Sequence, residues 1–405
     1  MPRVNVPLSN LRAVVILIVV AFHSVLPYLA SQPAQPFPFD VAPYRWVAFP
    51  IIDRERFFGF DLFCAWQDVS LMSLMFLMAG LFTPASLARK GALSYLSDRT
   101  LRIGVPFLLA AGTLAPPAYY ASYRLTADDP SLGAFWQHWL ALPIWPAGPA
   151  WFLWQLFVLC ALAALLYALA PQSLKALDRL AARFDDRPFA FFVTLSALSA
   201  VAYVPPALAF SAWDWASLGP LSIQLSRPLH YLLYFFAGVA IGTHGLDRGL
   251  LASDGPLARH WLALLAAALA GFIAWGLLTS LTLPVWDASP FSYRLAAALA
   301  FPPACAGGGL ALLAIALRLM RVRNAALDSL SRNAYSIYLL HYVAVVWLQY
   351  ALLAVALSAV AKGTIVFACA LASSWAVSTG SRTLLPLLTR SGTRAPIMGP
   401  APMEE

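Results

Sequence analysis

The residues best placed for chemistry lie inside apolar segments, where an ionisable side chain is costly and marks a working site or a paired one. His23 and Arg12 share the apolar run Leu11–Leu29. Their spacing of 11 residues is about 1100° of helical rotation, within about 20° of three full turns. Both side chains therefore fall on one face, about 16 Å apart along the axis. A neutral imidazole at such a position can take a proton from a substrate hydroxyl, because its ordinary titration lies near neutral pH. The plainer reading is a snorkelling arginine and a hydrogen-bonded core histidine. Residue types alone leave both open. Asp61 and Asp68 sit on one face of the next apolar run, about 10 Å apart. Asp68 facing His23 would orient the ring and stabilise its charged form. A pair with an arginine from a neighbouring helix competes with that role, above all for Asp61 at the edge of the run.

A second candidate set is basic. In Arg89-Lys-Gly-Ala-Leu-Ser-Tyr-Leu-Ser-Asp-Arg-Thr-Leu-Arg102, Arg99 and Arg102 are about one helical turn apart, and Asp98 can pair with Arg102 at i,i+4. Forked guanidinium groups match phosphate oxygens. Lys90, Arg99 and Arg102 therefore form a candidate site for an anionic donor such as a nucleotide or coenzyme A. The competing reading is a charge signal that orients the chain in a membrane. A third set recurs at helical spacing in a late run: Tyr335, Tyr338, His341 and Tyr342. Interhelical hydrogen bonding is the expected role of the tyrosines. Tyr338 and His341, with Asp61 and Trp151, make up the candidate substrate contacts. His230 is expected at the membrane interface, and His138, His244 and His260 on solvated loops. No P-loop, GxSxG, HExxH or dinucleotide fingerprint is present, and no His/Asp/Cys set has metal-ligand spacing, so no metal is expected.

The elements that must position these groups follow from composition. Of 405 residues, 61% are apolar and 11% charged, against about 45–50% and 25% in soluble globular domains. That excludes an ordinary soluble enzyme and a disordered chain. An outer-membrane barrel would alternate over about ten residues rather than form blocks of about twenty. The expected fold class is all-α, a polytopic membrane bundle of about ten helices. The expected spans are Leu11–Leu29, Leu62–Thr83, Ile103–Ser122, Trp151–Ala170, Phe189–Ser211, Leu229–Thr243, Trp261–Leu283, Ser292–Leu317, Tyr335–Leu353 and Thr364–Leu388. The short sixth span is expected to begin earlier, near Leu221. With the N-terminus inside, 19 of the 26 Lys and Arg residues fall in inside segments or the inner halves of spans and 7 in outside segments or the outer halves. Both termini are therefore expected in the cytoplasm. The net charge of +8 is attributed to these loops, not to a nucleic-acid partner. Cys64, Cys160, Cys305 and Cys369 lie in or beside apolar runs and are read as packing residues. Residues 1–390 are expected to form one domain and 391–405 a flexible cytoplasmic tail. The rival functional class is a transporter of a small solute or glycan precursor. Its helices would be broken at Pro116-Pro117, Pro205-Pro206 and Pro302-Pro303. A scaffold or sensor is the third class.

Five stretches resemble the acyltransferase 3 family of integral membrane O-acyltransferases. Asn10-Leu-Arg12, followed by His23, is similar to the family's first-helix motif, and Met75-Phe-Leu-Met-Ala-Gly-Leu-Phe82 to its second helix. Asp98-Arg-Thr-Leu-Arg102 before Pro106 resembles its RxxR loop, and Pro149-Ala-Trp-Phe-Leu153 its WFL segment. Ser331-Arg-Asn-Ala-Tyr-Ser-Ile-Tyr-Leu-Leu-His341 resembles its late SYxIYLLH helix. The resemblance covers about residues 8–388. It implies a bundle of about ten helices that moves an acyl group, acetyl or succinyl, from cytoplasmic acyl-CoA to a hydroxyl of an extracytoplasmic glycan or similar acceptor. It implies His23 as catalytic base, Arg12 as its same-face partner, and Arg99 with Arg102 as the acyl-CoA anchor. No bound cofactor is implied, since acyl-CoA is a co-substrate. The setting is a bacterial-type inner membrane. Where other branches carry the acid of a WSLSxE segment, this chain has Trp151-Phe-Leu-Trp-Gln155. The chain also shows no fused esterase-like domain. Both features are similar to the glucan-succinylating branch, although Ala150 stands where that branch often has a histidine.

Overall fold

The computed structural model describes residues 5–391, with side chains described through Arg382. The expected tail lies outside the described residues beyond Ser391. Among the described residues the long helices are α1 (Val6–Val25), α2 (Phe58–Leu81), α3 (Ala92–Thr126), α4 (Trp151–Leu169), α5 (Pro188–Ala209), α6 (Pro228–His244), α7 (Trp261–Thr282), α8 (Phe291–Leu319), α9 (Ala325–Leu352) and α10 (Ala359–Ser391). Their starts are readable locally. Asn5 caps α1 by accepting from Leu8 N at 3.1 Å, and Asn324 caps α9 by accepting from Ala326 N and Leu327 N, which satisfies donors that a helix start leaves open. Proline, whose missing N–H costs nothing in the first turn, opens α5 and α6.

Among the described residues, 9 helices are long and apolar enough to cross a membrane. The exception is α6. Its 17 residues span about 25 Å, short of the hydrocarbon core. It also does not begin near Leu221 as expected. Trp215–Leu218 (β1) and Leu221–Gln224 (β2) form an antiparallel hairpin, with Leu218 opposite Leu221 and Gly219 at φ 56° in the turn. The proline pairs break nothing. Pro205 and Pro206 lie inside α5, Pro302 and Pro303 inside α8, and Pro116 and Pro117 in the last α-helical stretch of α3.

The interior is built from α1, α2 and α8, while α7 leaves most of its surface outward. α1 packs against α2, α8, α9 and α10. α6 is held against α2 by backbone proximity. A Cβ at Gly80 would overlap the carbonyl oxygen of Phe235, and a Cβ at Gly238 or Gly242 would overlap that of Leu77 or Leu81. Small residues spaced by four allow this approach, the usual source of close packing where lipid removes the hydrophobic drive between helices. α3 carries two π-helical stretches, Thr100–Gly104 and Ala110–Leu114. Such stretches shift the backbone ladder and mark functional sites often. Each has a carbonyl taken by a side chain from elsewhere: Tyr335 donates to Arg102 O at 2.7 Å and the Trp145 indole N–H to Ala111 O at 2.9 Å.

The α2–α6 contact yields a stability prediction. Gly238→Val should cost about 1–3 kcal/mol through overpacking and lower the unfolding midpoint in detergent. Gly276→Val, at a position with open space around it, should leave the midpoint unchanged. Equal midpoints for the two variants would contradict the packing.

Candidate active site

α1 and α9 run side by side, and polar contacts set their register. At the end that carries Lys90, Ser9 Oγ donates to Ser331 Oγ at 3.0 Å. Asn10 Nδ2 donates to Met320 O and Val322 O in the turn between α8 and α9. At the other end, α1 stops soon after His23, so its last carbonyls lack intrahelical partners. Gln349 of α9 fills that gap, donating to His23 O at 2.7 Å and Ser24 O at 3.3 Å.

This register brings His23 against His341. His23 Nδ1 lies 2.8 Å from Val19 O and 3.2 Å from His341 Nε2. His341 Nδ1 lies 2.8 Å from Tyr338 O and 3.1 Å from Ile337 O. The Tyr342 ring stands edge-on to His23, centroids 5.4 Å apart. His341 is fully buried, whereas His23 is partly exposed. No protein group among the described residues meets His23 Nε2, which is not sealed off. One nitrogen of His23 is thus held by the protein and the other is open.

The carboxylates are elsewhere. Asp68 does not orient His23. It binds Arg227 of the sixth-helix start, with Oδ1 at 2.8 Å and Oδ2 at 2.5 Å from the guanidinium. The reason is burial: the Arg227 side chain is 2% exposed and needs a counter-charge, and Asp68, 45% exposed, supplies it. Asp61 is committed in part to the backbone. Its two oxygens accept from Ala30 N at 2.7 Å and Ser31 N at 3.0 Å, tying down the turn after α1.

The basic set is helical rather than a loop. Residues Ala92–Arg99 form the first turns of α3, and Arg102 lies in its first π-helical stretch. Lys90 and Arg102 both pair with Asp98, at 3.0 and 2.8 Å. Arg99 stacks on Tyr95 at 4.8 Å, and its buried Nε has no partner. Lys90, Ser94, Ser97 and Asp98, with Leu93 and Leu101, line an open hollow of about 600 Å³. Arg12 is exposed, has its guanidinium 5.5 Å over the Phe82 ring, and has no ion pair among the described residues.

The late tyrosines bridge helices as expected. Tyr338 donates to Pro149 O, just ahead of Trp151, and Tyr342 to Tyr119 Oη at 3.4 Å. The Tyr338 hydroxyl proton is thus engaged within the protein, and His341 is buried. Trp151 lies against Trp215 and Tyr231 at 5.3 and 6.3 Å. His230 is not interfacial but fully buried, with Ser73 Oγ 2.9 Å and Ser199 Oγ 2.8 Å from its two nitrogens. His244 is not a solvated loop residue; it ends α6 between Asp178 at 2.8 Å and Asp185 at 3.0 Å. His138 is half-exposed beside Asp40, and His260 is exposed. Cys64, Cys160 and Cys305 are buried free thiols, while Cys369 is exposed. Arg227 and Gln349 were not among the expected functional residues. A charge beside Pro228 at a helix start was the available signal for Arg227, and nothing local singled out Gln349.

Helix length and composition define a multi-pass membrane protein, and its helical bundle holds a partly exposed histidine oriented through Nδ1. A family model described as an acyltransferase domain (Acyl_transf_3) matches residues 6–379, nearly the whole chain. The chain belongs to this acyltransferase 3 family and is an enzyme that transfers acyl groups other than aminoacyl groups. The family match sets the transporter and scaffold readings aside. No curated protein and no solved structure matches the chain.

The ion pair between α2 and α6 predicts an asymmetry. Asp68→Ala strands a buried guanidinium and should cost about 3–5 kcal/mol. Arg227→Leu leaves a half-exposed carboxylate that water can reach and should cost about 1–2 kcal/mol. Unfolding midpoints in detergent check the order. A larger loss in the arginine variant would contradict the assignment.

Proposed function

We propose that the protein transfers a short acyl group, acetyl or succinyl, from cytoplasmic acyl-CoA to a hydroxyl of an extracytoplasmic glycan or similar acceptor. The setting is a bacterial-type inner membrane with both termini inside. The observation that carries this reading is the open Nε2 of His23, in a family whose members transfer acyl groups. Gln155 in place of an acid after Trp151-Phe-Leu supports the branch similar to glucan-succinylating proteins.

The reaction is a proton transfer and a substitution. His23 Nε2 takes the proton of the acceptor hydroxyl. The oxygen attacks the thioester carbonyl, a C–O bond forms, and the carbonyl oxygen carries the negative charge. Its collapse breaks the C–S bond, and the departing thiolate takes the proton back from the His23 imidazolium. General base catalysis of this kind contributes about 10²–10⁴-fold. Arg99, Arg102 and Lys90 receive the coenzyme A phosphates. The ion pairs of Lys90 and Arg102 with Asp98 are partly exposed and worth about 0–1 kcal/mol, so a phosphate can compete for both cations. Arg99, stacked on Tyr95, adds a further cation beside them. Arg12 offers an unpaired cation on the way to His23.

Binding and slow hydrolysis of acetyl-CoA and succinyl-CoA by the detergent-purified protein test the reading. His23→Ala should lower thioester turnover by about 10²-fold or more with donor affinity retained. Arg99→Ala combined with Arg102→Ala should weaken donor binding about tenfold or more. Turnover unchanged in His23→Ala, or donor affinity unchanged in the arginine variant, would contradict the respective role.

A further inference from the structure

We infer that His341 is a positioning residue for the reaction: it accepts the His23 Nδ1–H, points the bare Nε2 of His23 at the acceptor, and stabilises the imidazolium that forms there. The inference rests on the reading of His23 as general base. It replaces the substrate-contact role expected for His341 and the orienting role expected for Asp68.

The protonation pattern follows from which atoms can only accept. Tyr338 O and Ile337 O are carbonyl oxygens, so His341 Nδ1 between them carries the hydrogen. In the neutral ring His341 Nε2 is then a lone pair. Val19 O is also an acceptor only, so His23 Nδ1 carries a hydrogen as well. That N–H faces two acceptors, Val19 O at 2.8 Å and His341 Nε2 at 3.2 Å. The proton count leaves His23 Nε2 bare. When Nε2 takes the acceptor's proton, the new positive ring keeps Nδ1–H in place between the same two acceptors. A hydrogen bond from a charged donor is roughly twice as strong as one between neutral groups. His341 therefore favours the transition state over the resting enzyme, which is what accelerates a reaction.

A neutral acceptor suits this depth. A carboxylate would hold the imidazolium more tightly, but it would have to be kept charged in an apolar bundle when His23 is neutral. His341 carries no such penalty. Its ring is fully buried, held at Nδ1 by its own helix, and flanked by Tyr338 and Tyr342 with centroids 6.2 and 6.4 Å away. The neutral Gln349 of the same helix is fixed on the His23 carbonyl. The contact joins α1 to α9 across 318 residues of sequence, so the base is oriented by a helix other than its own.

The test separates acceptance of the N–H from mere packing. Turnover of acetyl-CoA and succinyl-CoA is measured on purified wild type, His341→Leu and His341→Gln. The glutamine side-chain oxygen can accept the His23 N–H, and leucine cannot. His341→Leu should lower kcat by on the order of 10- to 100-fold with the acyl-CoA KM within about twofold. His341→Gln should recover most of the loss. His341→Phe is a second non-accepting variant and keeps the comparison intact where leucine prevents folding. Wild-type kcat in the non-accepting variants, equal loss in glutamine and leucine, or a change carried by KM would overturn the positioning role while leaving acyl transfer standing. A well-folded wild type that turns over neither thioester would overturn the acyl-transfer reading itself, and this inference with it.

Discussion

An imidazole inside an apolar bundle must find its hydrogen-bond partners in the protein, and that constraint organises this structure around His23. Its Nδ1 is satisfied twice, by Val19 O of its own helix and by His341 Nε2 of α9. The bonds that make this possible lie along the whole α1–α9 seam. Ser9 with Ser331 and Asn10 with the α8–α9 turn set the register at one end, and Gln349 holds the last turn of α1 at the other. A slip of one residue along this seam would move His341 by about 100° around α9 and break the pair. The chemistry therefore depends on a helix–helix register, fixed by uncharged polar groups.

The contrast with His230 sharpens the point. That ring is also deep in the bundle, yet both its nitrogens are engaged by serine hydroxyls and the residue is fully buried. It ties α2, α5 and α6 together and has no lone pair to offer. Lys362 with Asp53 at 2.8 Å is likewise a buried, mutually satisfied pair, and Asp68 neutralises the buried Arg227. Burying polar groups costs unless they are paired. His23 differs from His230 in that one of its ring nitrogens is left open.

Much of this was legible in the sequence, and the limits have physical causes. Helix existence follows from long apolar runs, so most span ends were readable to within about five residues, while α3 begins at Ala92 rather than Ile103 and α9 at Ala325 rather than Tyr335, because their first turns are polar. The segment Leu221–Gln224 reads as the start of the sixth span because the apolar count near Leu221 outweighs the turn signal at Gly219-Pro220 and the alternation Leu-Ser-Ile-Gln, yet it forms the second strand of the hairpin. His23 stood out because charge in a membrane run is expensive. The i,i+4 pairing of Asp98 with Arg102 and the bridging role of the late tyrosines were readable because helical spacing fixes which face a residue occupies. Partners could not be read. Asp68 meets Arg227 across 159 residues and His23 meets His341 across 318, and periodicity orients a side chain on its own helix without naming the neighbour. A carboxylate is the familiar companion of a catalytic histidine, so chemical habit pointed to Asp68 where the fold supplies a second imidazole.

The most direct measurement of the central claim is the ¹⁵N spectrum of ¹⁵N-histidine-labelled protein in detergent at neutral pH, with His23 assigned by its loss in His23→Gln. The account predicts a neutral His23 ring with hydrogen on Nδ1, a bare Nε2, and a coupling from Nδ1 across the hydrogen bond to the bare nitrogen of His341. A proton on Nε2 of His23, or no coupling between the two rings, would contradict it.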